Sequence, residues 1–159
     1  NLNYIKAKYA LWIKNGGLTT YESYIGVSEK TRERHKLNFF STLRDFYIED
    51  QTLFVHAGFD YKIGFEKTFE NNLNLLFNDR SLFELSYANW KSQEKSRIEH
   101  VTKFEKIFIG HTPTTIFDIK KPTLMGNVIN LDQGCKLNGS LTGWILGTGE
   151  YFQSKEING

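Results

Sequence analysis

Two histidines stand in the same local setting, Leu53-Phe-Val-His56-Ala-Gly58 and Ile107-Phe-Ile-Gly-His111-Thr-Pro113. Each follows an apolar, β-prone run and has a glycine within two positions. In α/β proteins, ligands and catalytic groups gather in the loops just after strand C-termini. An imidazole placed there, with glycine letting the backbone bend closely around it, is suited to bind a metal. A single such histidine reads as a solvated loop residue. Repetition of the pattern, 55 residues apart, predicts two loops converging on one site. Neutral imidazoles suit zinc, iron, manganese or nickel, but a catalytic centre normally takes three or more protein ligands.

Carboxylates near these histidines are few. Asp60 follows His56 by four positions, and Asp132 follows an apolar run at 127–131. Both read first as turn formers that orient a loop, and second as ligands. Arg80, in Asn78-Asp-Arg-Ser81, carries a planar guanidinium able to grip a phosphoryl group through two hydrogen bonds. Its competing role is a surface pair with Asp79 or Glu84. His35 and His100 read as surface histidines. No P-loop, Gly-x-Ser-x-Gly, Cys-x-x-Cys or dinucleotide fingerprint is present. Metal-assisted hydrolysis is the chemistry left standing.

The elements that must position these groups are mixed. Residues 1–14 have near-helical apolar spacing that stops at Asn15-Gly16-Gly17. A helix is expected over 28–46, with Ser28 as N-cap and Leu37, Phe40, Leu43 and Phe46 or Tyr47 on its apolar face. Strands are expected at 51–55 and 106–109. Helix is expected at 65–77 and 81–89, followed by a polar stretch at 93–104. The tail predicts strands at 127–131, 140–146 and 151–155, with turns at Asp132-Gln-Gly134, Leu137-Asn-Gly139 and Gly147-Thr-Gly149. The class expected is α/β (α+β), with antiparallel pairing near the C-terminus.

The chain has 159 residues, the size of one domain, and 40% hydrophobic content suits a packed core. A net charge of +2 gives no argument for nucleic acid or membrane binding. The basic run from Ser28 to Arg44 reads as a solvated helix face. One cysteine, Cys135, excludes an internal disulfide and fits a reducing cytoplasm. No signal peptide or membrane-length apolar run is seen. Because the chain starts at Asn1 and not Met, it reads as a processed product or a fragment.

Together, Val55-His-Ala-Gly58, Ile109-Gly-His-Thr-Pro113 and Ile129-Asn-Leu-Asp-Gln-Gly-Cys135 with Gly139-Ser-Leu-Thr-Gly143 resemble the C-terminal half of a phosphoprotein-phosphatase-type, calcineurin-like metallophosphoesterase of the bacterial serine/threonine branch. Trp12-x-x-x-Gly16-Gly and Leu75-Leu-Phe-Asn-Asp-Arg-Ser81 resemble further segments of that family, so the likeness runs from about Trp12 to Leu146. It implies part of a four-layer α/β/β/α sandwich and a hydroxide bridging two divalent ions (manganese, iron or zinc) that attacks a phosphomonoester. His56 and His111 would ligate one ion and Arg80 would hold substrate phosphate, with Gly58, Gly110 and Asp132 in support. The partners implied are a phosphorylated protein or small phosphoester, and the missing N-terminal half of the same domain. The family's Gly-Asp-x-His-Gly, Gly-Asp-x-x-Asp-Arg-Gly and Gly-Asn-His-Asp/Glu motifs are absent, and no Gly-Asp pair occurs. This chain alone is therefore expected to be inactive, and to expose an apolar sheet face unless something covers it. Two other readings are a non-catalytic half-domain that binds a partner and a dinucleoside-polyphosphate hydrolase.

Overall fold

A computed structural model describes residues 9–92 and 102–155. The chain divides into two compact units, Asn1–Arg44 and Asp45–Gly159.

In the first unit, helix α1 (Ala10–Trp12) runs into a kinked, π-type segment, Ile13–Gly17, and then helix α2 (Leu18–Ser23). The expected break falls where Asn15-Gly16 placed it, with Gly16 at φ 100°. Trp12 is the reason for the second glycine: a Cβ on Gly17 would lie 2.2 Å from its ring. Helix α3 (Glu29–Asn38) starts as expected, with Ser28 Oγ accepting from Thr31 N–H at 3.2 Å. It ends eight residues short of the expected 46. None of its residues is buried, and Leu37, Phe40 and Leu43 are exposed, so no apolar face holds a longer helix together. A short 3₁₀ turn, Phe40–Thr42, follows.

The second unit opens on a hairpin that corrects the rest of that expectation. Phe46 and Tyr47 lie in strand β1 (Phe46–Glu49), antiparallel to β2 (Thr52–Val55). Asp50, at φ 51°, and Gln51 make the turn. The expected helix at 65–77 is two pieces, α4 (Phe65–Asn71) and α5 (Leu75–Asn78), because Asn72 leaves helical geometry at φ −154°, ψ 78°. Helix α6 (Ser81–Lys91) matches its expectation. Most of the polar stretch that follows, His100 included, lies outside the described residues.

Strand β3 (Lys106–Ile109) pairs parallel with β2 on one side and with β5 (Val128–Asn130) on the other. Strand β4 (Leu124–Met125) completes a mixed sheet of order β1-β2-β3-β5-β4. The tail forms a second, antiparallel sheet of β6 (Asp132–Gln133), β7 (Ser140–Trp144) and β8 (Tyr151–Gln153). The mixed α/β class and the antiparallel C-terminus are as the sequence implied. Asp132-Gln133 is strand where a turn was expected. The connection to β7 passes through a 3₁₀ turn, Cys135–Leu137, before Asn138-Gly139.

Alternation along the strands builds the core. Leu53 and Val55 of β2, Ile107 and Ile109 of β3, and Val128 of β5 pack with Phe59, Phe65, Leu76, Leu82 and Phe83 from the crossover helices and loops. Burying each such side chain contributes about 1.5–3 kcal/mol. Phe54 and Phe108, out of phase with that set, stack at 5.1 Å, and Phe108 meets Trp144 at 5.8 Å. Tyr47 and Phe152 stay 55% and 65% exposed. Among the described residues, no helix is long and apolar enough to cross a membrane.

Candidate functional site

Strand register alone brings the singled-out residues together. Phe54 is level with Phe108, and Ile109 with Asn130. Continuing past the strand ends sets His56 beside Gly110, and His111 beside Asp132. Main-chain bonds extend the pairing: Gly110 N–H donates to His56 O, and Leu131 N–H to Ile109 O, each at 2.8 Å. Three adjacent parallel strands thus deliver His56, His111 and Asp132 at their C-terminal ends, where open α/β sheets hold ligands.

The two imidazoles lie with ring centroids 5.1 Å apart and planes at 61°. Two imidazoles sharing one tetrahedral zinc at ~2 Å would have centroids about 5 Å apart. The observed spacing matches that value, and it is equally the spacing of two rings packed edge to face. Among the described residues, no cluster of three or more His, Cys, Asp or Glu forms a complete metal-binding group. Asp132 does not make a third ligand; its Oδ1 accepts from Gly134 N–H at 3.0 Å. Asp60 is a turn former, its Oδ1 accepting from Lys62 N–H at 2.9 Å.

His111 adopts φ 66°, in the left-handed region that costs a residue other than glycine of order 1–3 kcal/mol. Thr112 N–H closes a three-residue turn onto Gly110 O at 2.7 Å. Burial holds the His111 pKa below the ordinary histidine value, reinforced by His56 and then Arg80; Asp132 opposes them. The ring is therefore neutral, with a lone pair to offer, at neutral pH.

Arg80 precedes α6. Asp79 does not pair with it: its Oδ1 accepts from Ser81 N–H at 2.9 Å and Ser81 Oγ–H at 2.7 Å, tying down the first turn of the helix. The Arg80 side chain is exposed and has no ion pair among the described residues, yet lies near enough to act electrostatically on His111. Ala57 N–H donates to Leu76 O at 2.9 Å, so that amide is committed to the fold. Gly58, at φ 142°, packs under α6, where a Cβ would come within 3.3 Å of Leu82 Cβ. Gly110 is less constrained, since a Cβ there would meet His56 O at an ordinary 3.6 Å. His35 belongs to the first unit and bonds Tyr24 OH through Nδ1 at 2.8 Å.

Sequence reasoning passed over Asn130, Thr112 and Gln133, all buried behind the His111 loop. The available signal was an asparagine, poorly suited to strands, directly after Val128-Ile129. No protein-family model matches this chain, and no curated protein or solved structure matches it.

Proposed function

We propose that this chain is the C-terminal part of a calcineurin-like metallophosphoesterase domain of the serine/threonine phosphatase type. The observation that carries the reading is the 5.1 Å approach of His56 and His111 at the ends of neighbouring parallel strands. On this reading His56 and His111 hold one divalent ion. A bound ion supplies Lewis-acid neutralisation of phosphoryl charge and activates water. Arg80, without an ion pair of its own among the described residues, grips two phosphoryl oxygens and orients the phosphoester. The Gly58 backbone lets the loop after His56 pass close under α6. The remaining ligands and the general acid belong to motifs that this sequence does not contain, so the chain contributes part of a dimetal centre and is inactive by itself.

Calorimetric titration of the chain with Zn²⁺ at neutral pH tests the assignment. One binding event is expected, abolished in both His56→Asn and His111→Asn. A chain that takes up no Zn²⁺, or takes it up equally well in both variants, ends the metallophosphoesterase reading. It leaves the exposed Tyr47 and Phe152 as the place to look for a partner-binding role.

A further inference from the structure

Asn130 is 2% exposed at the end of β5, and both ends of its carboxamide and its main-chain carbonyl are hydrogen-bonded. Its Nδ2 donates to Thr112 O at 2.9 Å. Its Oδ1 accepts from Asp132 N–H at 2.8 Å, and its own carbonyl accepts from Gln133 Nε2 at 2.8 Å. One carboxamide therefore joins the loop carrying His111 to the loop carrying Asp132.

The bond to Thr112 O matters because of what precedes it. His111 sits in an unfavourable left-handed conformation. It is bracketed on one side by Gly110 N–H to His56 O and on the other by Asn130 to Thr112 O. Thr112 O belongs to the Thr112–Pro113 peptide, so releasing the second anchor frees the loop beyond Thr112, leaves the bond from Thr112 N–H to Gly110 O as the remaining hold on that side, and lets His111 relax out of positive φ. That swings the imidazole away from His56. Gln133, bonded to Asn130 O and to Thr114 Oγ1 at 3.4 Å, backs the clamp from behind.

We infer that Asn130 is a positioning residue that holds the His111 imidazole against His56 by tying Thr112 O to the Asp132 loop. The inference rests on the metal-site reading above and deepens it. Strand β5 also offers its own control. Asn127, just before its other end, makes an equivalent bridge, Nδ2 to Phe104 O at 2.8 Å, far along the strand from the histidines. Substituting either asparagine removes a buried bond, but only Asn130 touches the site.

The test compares Asn130→Asp with Asn127→Asp. Each keeps its size and loses the donor. Folding is checked by thermal melt, Zn²⁺ affinity by calorimetry, and the histidine rings by NMR of the metal-free protein. For N130D, Zn²⁺ affinity is expected to fall about tenfold, the lower end of the loss seen when a group that orients a metal ligand is removed. The His111 ring signals are expected to move. For N127D, affinity should stay within about twofold at a similar loss of melting temperature. Equal affinities in N130D and the unsubstituted chain, or an equal loss in N127D, overturn the positioning role alone. Absence of any His56- and His111-dependent Zn²⁺ site in the unsubstituted chain overturns the metal reading and the role with it. Should N130D not fold, Asn130→Ser, which deletes the same bond without adding charge, carries the comparison.

Discussion

The amide of Gly110 donates to the carbonyl of His56 at 2.8 Å, so the two histidine loops are joined through main chain. Side-chain identity at position 110 is therefore secondary. Gly110→Ala meets only ordinary contacts and is expected to change stability by less than about 0.5 kcal/mol. Gly58→Ala combines φ 142° with a 3.3 Å contact to Leu82 Cβ and is expected to cost about 1–3 kcal/mol. Urea melts of the two variants make the check, and equal losses would refute it.

The titration of His111 should follow its neighbours. By ring-proton NMR it is expected to lose its proton below the ordinary histidine value of 6.5. Arg80→Met and His56→Asn each remove a positive or protonatable neighbour, so the pKa should rise. Asp132→Asn removes the opposing negative charge, so it should fall. The unfolded chain binds more protons between the lowered and ordinary values. The group's contribution to stability is therefore complete above 6.5 and lost as pH falls through the folded-state pKa.

Arg80 separates binding from stability. Without a side-chain ion pair among the described residues, Arg80→Met should leave the melt within about 0.5 kcal/mol. The Zn²⁺-loaded chain should show phosphate-dependent shifts at Gly58 and His111 in NMR spectra, and R80M should not. Shifts that survive in R80M would remove Arg80 from the site.

Phe83 is fully buried on α6, with its ring 5.4 Å from Phe117 and 6.1 Å from Tyr87. Phe83→Ala should cost about 3–5 kcal/mol, mostly from the cavity left behind. A denaturant melt showing less than about 1 kcal/mol would mean that the helix does not pack as described.

The strand ends and their histidines were legible because an apolar run followed by a loop residue is a local signal. The hairpin 46–55 was not. Leu37, Phe40, Leu43 and Phe46 happen to recur at helical spacing, while Asp50-Gln51 lacks the Asn-Gly signature of a tight turn. The gap between α4 and α5 was hidden in the same way, since Asn71-Asn72 interrupts an apolar pattern that continues in phase on both sides. Of the candidate residues, His56 and His111 were picked out by their matching local settings, and their rings lie 5.1 Å apart; Arg80 entered as a phosphate ligand only through the family resemblance. Asn130 was not legible, because its role depends on which strand lies beside it, and Ile109↔Asn130 pairing exists only in three dimensions.

Parallel pairing of β2 with β3 has a consequence for the order of folding. Bringing Leu53 level with Ile107 closes a loop of more than fifty residues, an entropic cost that local helices and the β1–β2 hairpin avoid. The histidine pair cannot come together before that closure. A metal ion held between His56 and His111 would stabilise only chains in which that closure is made, and stopped-flow unfolding and refolding with and without Zn²⁺ would show on which side of the barrier the pair forms. The ion would act as a latch on that closed loop.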